Sequence, residues 1–273
     1  MKLRYPQRVN EKCLYVYTMP KAGTYLLAGL CEEFGIENSG FHIGFSGYLD
    51  TLNHPHKVNR HRPSATRVNQ SYIKTFKQSA GRLAFGHLSP SFLPPGVFFG
   101  LQVVASYRDP MEVLISEFND FRFIRRDINF CSTANVVDDL DAFKLYLERQ
   151  APVIRDIMIE MSRYIDCFAN PLYAAKYNNC VPIVINFNLL SSPEYQSWLD
   201  NLFARFLPES KTTFSQALEI AYGKKTKTRS HGYPFDPERM WTPENLDLVK
   251  ALRLKRLHKN LINLEEILSS SLR

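Results

Sequence analysis

Four short apolar runs constrain this chain most. They are CLYVYTM at 13–19, GRLAFG at 81–86, LQVVASY at 101–107 and VPIVINF at 181–187. Each reads as a buried strand, continuous rather than alternating in hydrophobicity. Helical stretches fall between them. TYLLAGLCEEFG, 24–35, ends at Gly35; a second starts with Asp109 as N-cap and Pro110 at the first helical position and runs to about Arg122. One or two more cover 138–165, another 192–206, and a last one about 243–269. Strands alternating with helices predict a three-layer α/β fold, a central parallel sheet flanked by helices. Two stretches fit neither pattern. Residues 38–70, rich in Gly, Asn, His, Pro and Arg, read as a long loop-rich excursion, and 223–242 as a long loop with a basic start.

The 273 residues, 31.6 kDa, suit one domain spanning 1–273. A hydrophobic share of 45% and an aromatic share of 13% exclude a disordered chain. The net charge of +7 favours anionic ligands such as phosphate, sulfate, nucleotides, nucleic acid or acidic membranes, although the excess is spread along the chain as on a solvated surface. The five cysteines, Cys13, Cys31, Cys131, Cys167 and Cys180, are scattered, without a CxxC or Cys/His metal spacing. They read as reduced, mostly buried thiols. The N-terminal stretch MKLRYPQRVNEKC has no apolar h-region and no run of about 18 apolar residues follows, so a cytoplasmic protein without a membrane anchor is expected.

The first apolar run ends in PKAGT, residues 20–24. A strand, a glycine turn and a helix N-terminus make an anion cradle from backbone N–H groups and the helix dipole. Gly23 lets the backbone approach closely, Lys21 adds a mobile charge, and Thr24 a hydroxyl. The pattern is not GxxxxGK[ST], since Lys21 precedes the only glycine and the loop is shorter. It predicts a site for one or two phosphates without a Walker-type magnesium. The plain alternative is a strand–helix turn with a surface lysine.

Three further stretches place polar groups near strand ends. In VVASYRDPMEVLIS, Arg108 ends the third strand and offers a planar fork suited to phosphate, with Ser116 further along the helix. The plain alternatives are a salt bridge from Arg108 to Asp109 or Glu112 and a buried helix serine. In AFGHLSPSFLP, His87 directly follows the second strand and can take a proton from an acceptor hydroxyl; the alternative is a structural histidine. GKKTKTRSHG, 223–232, can wrap a phosphate monoester or remain a solvated basic loop.

Together and in this order the four stretches resemble the sulfotransferases that use 3′-phosphoadenosine 5′-phosphosulfate (PAPS). PKAGT looks like the family's 5′-phosphosulfate loop, usually PKSGTTW. YRDPMEVLIS looks like its 3′-phosphate segment, an Arg followed eight residues later by a Ser. GHLSPSFLP resembles the segment with the catalytic histidine, KTKTRSHG lies where the late 3′-phosphate loop falls, and VPIVINFNLLSSP resembles the strand and turn that often read YEDL. The likeness covers about residues 13–245.

The resemblance implies a single sulfotransferase-like domain, related in fold to P-loop nucleotide kinases. It also implies sulfuryl transfer from PAPS to a hydroxyl or amine, leaving adenosine 3′,5′-bisphosphate, with no metal required. By the same likeness His87 is the base and Lys21 stabilises the leaving phosphate oxygen. Lys21, Ala22, Gly23, Thr24 and Tyr25 hold the 5′-phosphate, while Arg108 and Ser116 hold the 3′-phosphate with Arg229, Ser230 and Gly232. The chain departs from the family pattern in several places. Tyr25 replaces a second Thr or Ser, Leu26 a Trp or other large apolar group, and Gly86 the Thr before His87. NFN replaces YED, and Ser230-His231 stands where Lys-Gly is usual.

The implied acceptor is a small molecule, with no nucleic acid or membrane partner. The short form is similar to bacterial tailoring sulfotransferases, among them those acting on saxitoxin-type alkaloids. Residues 38–70, with His42, His54, His56 and His61, and residues 118–141, with Asp120, Asp127, Asp138, Asp139 and Asp141, are expected to wall the acceptor pocket. HPH-x4-H as a metal site lacks a nearby carboxylate or Cys, and one of these histidines can instead orient the acceptor. Rival readings are a kinase of related fold, a non-catalytic nucleotide-binding protein and a nucleic-acid binder; oligomeric state is left open.

Overall fold

The computed structural model describes residues 13–44, 47–50, 67–68, 80–92, 101–124, 138–169, 181–207, 210–224 and 232–272. The four apolar runs form β1 (Cys13–Thr18), β5 (Leu83–Gly86), β6 (Leu101–Tyr107) and β7 (Ile183–Asn186), each buried along its whole length. They pair in parallel, with β1 between β5 and β6 and β7 beyond β6. A fifth parallel strand, β2 (Asn38–Gly44), lies outside β5; β3 (Gly47–Asp50) and β4 (Arg67–Val68) extend that edge antiparallel, completing seven strands. Continuous burial of the four apolar strands follows from helices on both faces.

The expectation of an irregular 38–70 is therefore corrected at its described residues. NSGFHIG carries Asn and Gly, poor strand formers, and no clean alternation. Pairing with the buried β5 makes it a strand, a tertiary effect that a local pattern does not carry.

The helices are α1 (Thr24–Glu33), α2 (Pro110–Asn119), α3 (Asp139–Ala169), α4 (Pro193–Phe206), α5 (Phe214–Gly223), α6 (Pro243–Ala251) and α7 (Leu254–Leu272). α1 packs on α5 and α5 on α4, while α3 packs on α2, α6 and α7. The start of α2 is as expected: Asp109 accepts from the Met111 amide at 2.7 Å and Pro110 sits at the first helical position. Its end is not, because the chain passes into a π-helical turn, Asp120–Ile124. α5 was absent from the sequence reading, although Thr213 and Gln216 form a capping box, a T-x-x-Q signal present in the sequence. The expected 243–269 helix is two helices, broken where Arg253 adopts a left-handed φ of 56°.

Cys13 and Cys31 are buried free thiols, pushed up to about 12 by burial. Cys167 is half-buried, and Cys131 and Cys180 lie outside the described residues. Among the described residues no helix is long and apolar enough to cross a membrane.

A buried carboxylate ties both ends of the fold to the sheet. Glu265 on α7 accepts from the Tyr107 hydroxyl of β6 and, at 2.6 Å, from the Tyr195 hydroxyl of α4; the latter oxygen accepts from the Asn186 amide of β7 at 2.8 Å. Burial pushes Glu265 above the usual carboxylate range, against the pull of the two tyrosine donors. Burial and the nearby Glu265 charge push both phenols far up. A carboxyl raised in the folded state contributes stability that is present at low pH and lost as pH rises through the folded value. The stability margin of the wild type over Glu265→Gln is therefore expected to widen as pH falls from 7 toward 4, measured by urea denaturation at each pH. A margin that narrows would contradict this assignment.

Candidate active site

The turn between β1 and α1 is the centre of the candidate site. Lys21 has φ 59° and Gly23 φ 81°, so a left-handed lysine precedes the left-handed glycine that starts α1. A Cβ on Gly23 would lie 2.3 Å from the Phe187 ring, so glycine is required by space as well as by φ. A lysine in this conformation is strained by about 1–2 kcal/mol, and the surroundings must hold it there.

They do so through the turn's own carbonyls. Ser106 of β6 donates from Oγ to the Ala22 carbonyl at 3.0 Å, and the Met19 amide donates to the Ser106 carbonyl at 3.0 Å. Arg108, just past β6, donates from Nη1 to the Lys21 carbonyl at 3.1 Å. His87, just past β5, has Nδ1 2.9 Å from the Thr18 carbonyl. A carbonyl only accepts, so Nδ1 carries a proton. The Thr18 and Thr24 hydroxyls, both buried, lie 2.5 Å apart beneath the turn.

Of the amides expected to face an anion, that of Ala22 donates to the Met19 carbonyl at 3.1 Å and is used within the turn. Gly23, Thr24 and Tyr25 occupy the helix start, where amides have no partner within the helix. The Tyr25 phenol turns aside, its oxygen 3.1 Å from Nδ1 of His42 on β2.

Both cations of the site have carboxylate partners. Lys21 Nζ lies 2.7 Å from Asp120 Oδ2, with side-chain exposures of 9% and 2%. Arg108 reaches Glu112 with Nε at 2.9 Å and Nη2 at 2.7 Å, and its guanidinium stands 5.1 Å from the centre of the Phe187 ring. The salt bridge weighed for Arg108 is thus present. It is half-exposed and worth little on its own, whereas its fork keeps the geometry that suits an anion.

NFN at 186–188 clasps this region. The Asn188 side chain accepts from the Asp109 amide and donates to Glu112, each at 2.8 Å, while Phe187 backs both Gly23 and Arg108. His258 Nδ1 comes within 3.8 Å of Asp109 Oδ2, but burial holds the imidazole below its usual range. At neutral pH this is a contact of a neutral ring rather than an ion pair.

Ser116 is half-buried on α2, a turn before Asp120. Gly232 lies in a bend with φ 115° and open space at its Cβ position. Arg229 and Ser230 lie outside the described residues, as do His54, His56, His61 and Asp127. The chain after Gly232 is anchored by Phe235, which packs on Phe118 and Phe123 at 5.6 and 5.4 Å between ring centres. Thr18 and Ser106 were not singled out from sequence, and Phe187 and Asn188 only as part of NFN, without a role. Their only local signal is position, since each falls at or next to the carboxyl end of a parallel strand.

No protein-family model matches the sequence, and no curated protein matches it. Among solved structures the chain is similar to mouse sulfotransferase SULT7A1 complexed with PAP, at 15% identity and TM-score 0.52, over 93% of this chain and 90% of that one. It also aligns with retinol dehydratase in complex with retinol and PAP, at 15% identity, TM-score 0.45, over 92% of this chain and 83% of that one. At such identity the likeness to the mouse protein is one of fold: the two chains share the α/β architecture.

The Lys21–Asp120 pair has a measurable consequence. Breaking a buried ion pair strands the remaining charge, at about 3–5 kcal/mol. Lys21→Met and Asp120→Asn are each expected to lose about that much stability, and the double variant clearly less than the sum, in urea denaturation. Additive losses would mean that the two groups are not coupled.

Proposed function

We propose that this protein transfers a sulfuryl group from PAPS to a hydroxyl or amine of a small-molecule acceptor, with residues 1–273 acting as one sulfotransferase-like domain. The observation that carries the reading is the convergence on one turn. His87, Lys21 and Arg108 follow three neighbouring strands, and all belong to the 18–24 turn or bond to its carbonyls. The fold shared with a PAP-bound sulfotransferase supports the choice of donor.

The residues present fit an anionic nucleotide: a helix start, a lysine and an arginine fork converge without a competing Walker pattern. PAPS supplies an activated sulfuryl group, so the chain's work is positioning and charge stabilisation. His87, its Nδ1 held by the Thr18 carbonyl, serves as the base toward the acceptor through Nε2. Lys21 offsets charge on the leaving phosphate oxygen, exchanging or sharing its contact with Asp120. The amides of Gly23, Thr24 and Tyr25 bind the 5′-phosphate. Arg108 and Ser116 bind the 3′-phosphate, with Arg229, Ser230 and Gly232 of the basic loop. An acceptor screen starts from hydroxyl- and amine-bearing natural products.

Calorimetry with adenosine 3′,5′-bisphosphate, ADP and ATP, with and without magnesium, tests the donor. Tight, magnesium-independent preference for the 3′,5′-bisphosphate is expected; preference for ATP with magnesium, or no binding, would overturn the reading. Arg108→Ala should weaken bisphosphate binding by tenfold or more, the scale of a lost charge-assisted pair. His87→Ala should lower turnover by about 10²–10⁴ while leaving that binding intact. Unchanged turnover would remove His87 from the base role.

A further inference from the structure

The parallel pairing of β6 and β7 carries past their ends. Its register runs from Val104 with Ile183 to Tyr107 with Asn186. Beyond it, Phe187 falls against Arg108 and Asn188 against Asp109, in a short 3₁₀ turn over Phe187–Leu189. That turn is itself fixed: Asn186 Oδ1 accepts from the Asn188 amide at 3.1 Å, and the Asn186 amide donates to the Tyr195 hydroxyl at 2.8 Å. From there Asn188 grips the start of α2 with both ends of its side chain. Oδ1 accepts from the Asp109 amide, the one that follows Arg108, and Nδ2 donates to Glu112 Oε1, each at 2.8 Å. An amide N–H only donates and a carboxylate only accepts, so both bonds need a side chain that carries an acceptor and a donor. Glu112 Oε2 in turn takes Nε and Nη2 of Arg108 at 2.9 and 2.7 Å, while Nη1 donates to the Lys21 carbonyl at 3.1 Å. The guanidinium stands over the Phe187 ring at 5.1 Å.

Resting on the sulfotransferase reading above, we propose that Asn188 is a positioning residue for the 3′-phosphate: it holds Glu112, and through Glu112 it aims the Arg108 fork before the nucleotide arrives. A guanidinium has five N–H groups. Three are engaged, so among the described residues one N–H on each terminal nitrogen is left for an anion. A phosphate meets those two donors first. It then takes the rest of the fork from Glu112, whose other oxygen keeps the Asn188 amide, so the carboxylate is not left without a partner. A half-exposed arginine–glutamate pair is worth little by itself, because two long side chains must be fixed in one geometry. Here Asn188 and Phe187 fix them in the free protein, and less freedom is lost on binding.

Calorimetry on the full chain compares adenosine 3′,5′-bisphosphate with adenosine 5′-monophosphate; the ratio of the two affinities isolates the 3′-phosphate. Asn188→Leu keeps the size and loses both bonds. It should cut that ratio about tenfold, the scale of one hydrogen bond to a charged group, with monophosphate affinity unchanged. Asn188→Asp sets a carboxylate against Glu112 and should cut it as far. Adding Glu112→Gln exchanges amide and carboxylate across the pair at the wild-type net charge, and should restore most of the loss. A merely structural role would lower both affinities together and leave the ratio alone. Where the wild type prefers the bisphosphate, a ratio unmoved in folded Asn188→Leu, or left as low by the exchanged pair as by Asn188→Asp alone, overturns the proposal. The Arg108 Nε–H signal in NMR, followed without ligand and assigned through Arg108→Lys, separates the two readings, and it should shift in Asn188→Leu. A shift in a protein without preference for the 3′-phosphate would sink the sulfotransferase reading and keep the hold of Asn188 on Arg108; a preference with an unmoved signal would do the reverse.

Discussion

The site depends on a turn that the chain would not adopt alone. Placing a lysine in the left-handed region costs about 1–2 kcal/mol, and an isolated strand–helix connection has easier alternatives. What holds it is a set of hydrogen bonds to its carbonyls from both neighbouring strands: Ser106 on Ala22, Arg108 on Lys21, His87 on Thr18. Two of those donors, Arg108 and His87, are also the groups to which the proposed function gives phosphate binding and proton transfer. On the proposed reading, a group that orders the turn and a group that meets substrate are then the same residue. This is preorganisation in the sense that matters for electrostatic catalysis: the charges are oriented before a ligand arrives, so little is reorganised when it does.

The two cations of the turn are held differently. Arg108, just before α2, and Glu112 in its first turn form a half-exposed pair, an arrangement that solvent weakens and an incoming anion readily replaces. Lys21 and Asp120 are buried on both sides. There the loss of either partner leaves a charge that water does not reach, so the pair resists being opened. Asp120 sits at the first residue of a π-helical turn, and such turns concentrate at functional sites. A strained lysine and an irregular helix end thus meet in one ion pair. An anion at the turn has to compete with Asp120 for Lys21 or share it, and an ammonium with three donors can do the second.

How much of this was legible in the sequence follows from how local each cause is. β1, β5, β6 and β7 announce themselves because burial on both faces writes a continuous apolar run. The N-cap and proline of α2 are equally local. The strand character of β2 is not, since Asn38, Ser39 and Gly40 argue against it and only pairing with β5 makes it. α5 has its only local signal in the capping box of Thr213 and Gln216. The break between α6 and α7 rests on one left-handed arginine, which no periodicity reveals. At the site, Lys21, Arg108 and His87 stood out because their residue types are unusual at strand ends. Asn188 and Phe187 did not, because an asparagine or a phenylalanine after a strand has no chemistry of its own until its neighbour across the sheet is known.

The departures from the family pattern make sense together once the packing is known. Gly86, where the sulfotransferases that the sequence resembles usually have threonine, is the residue that lets the Ile43 carbonyl reach the His87 amide. Any side chain there would push β2 away from His87 and carry His42 with it. Tyr25, where a small hydroxyl was anticipated, spans to His42 instead of stopping at the anion. NFN, in place of an acidic turn, supplies a neutral amide to clasp Asp109 and Glu112 and a ring to back Gly23 and Arg108. A carboxylate at 188 would face Glu112 and be repelled by it. Each substitution is compatible with the others and awkward alone. Such mutual dependence is expected where several strand ends share one turn: a change in one loop is tolerated only if the loop beside it changes in the matching sense.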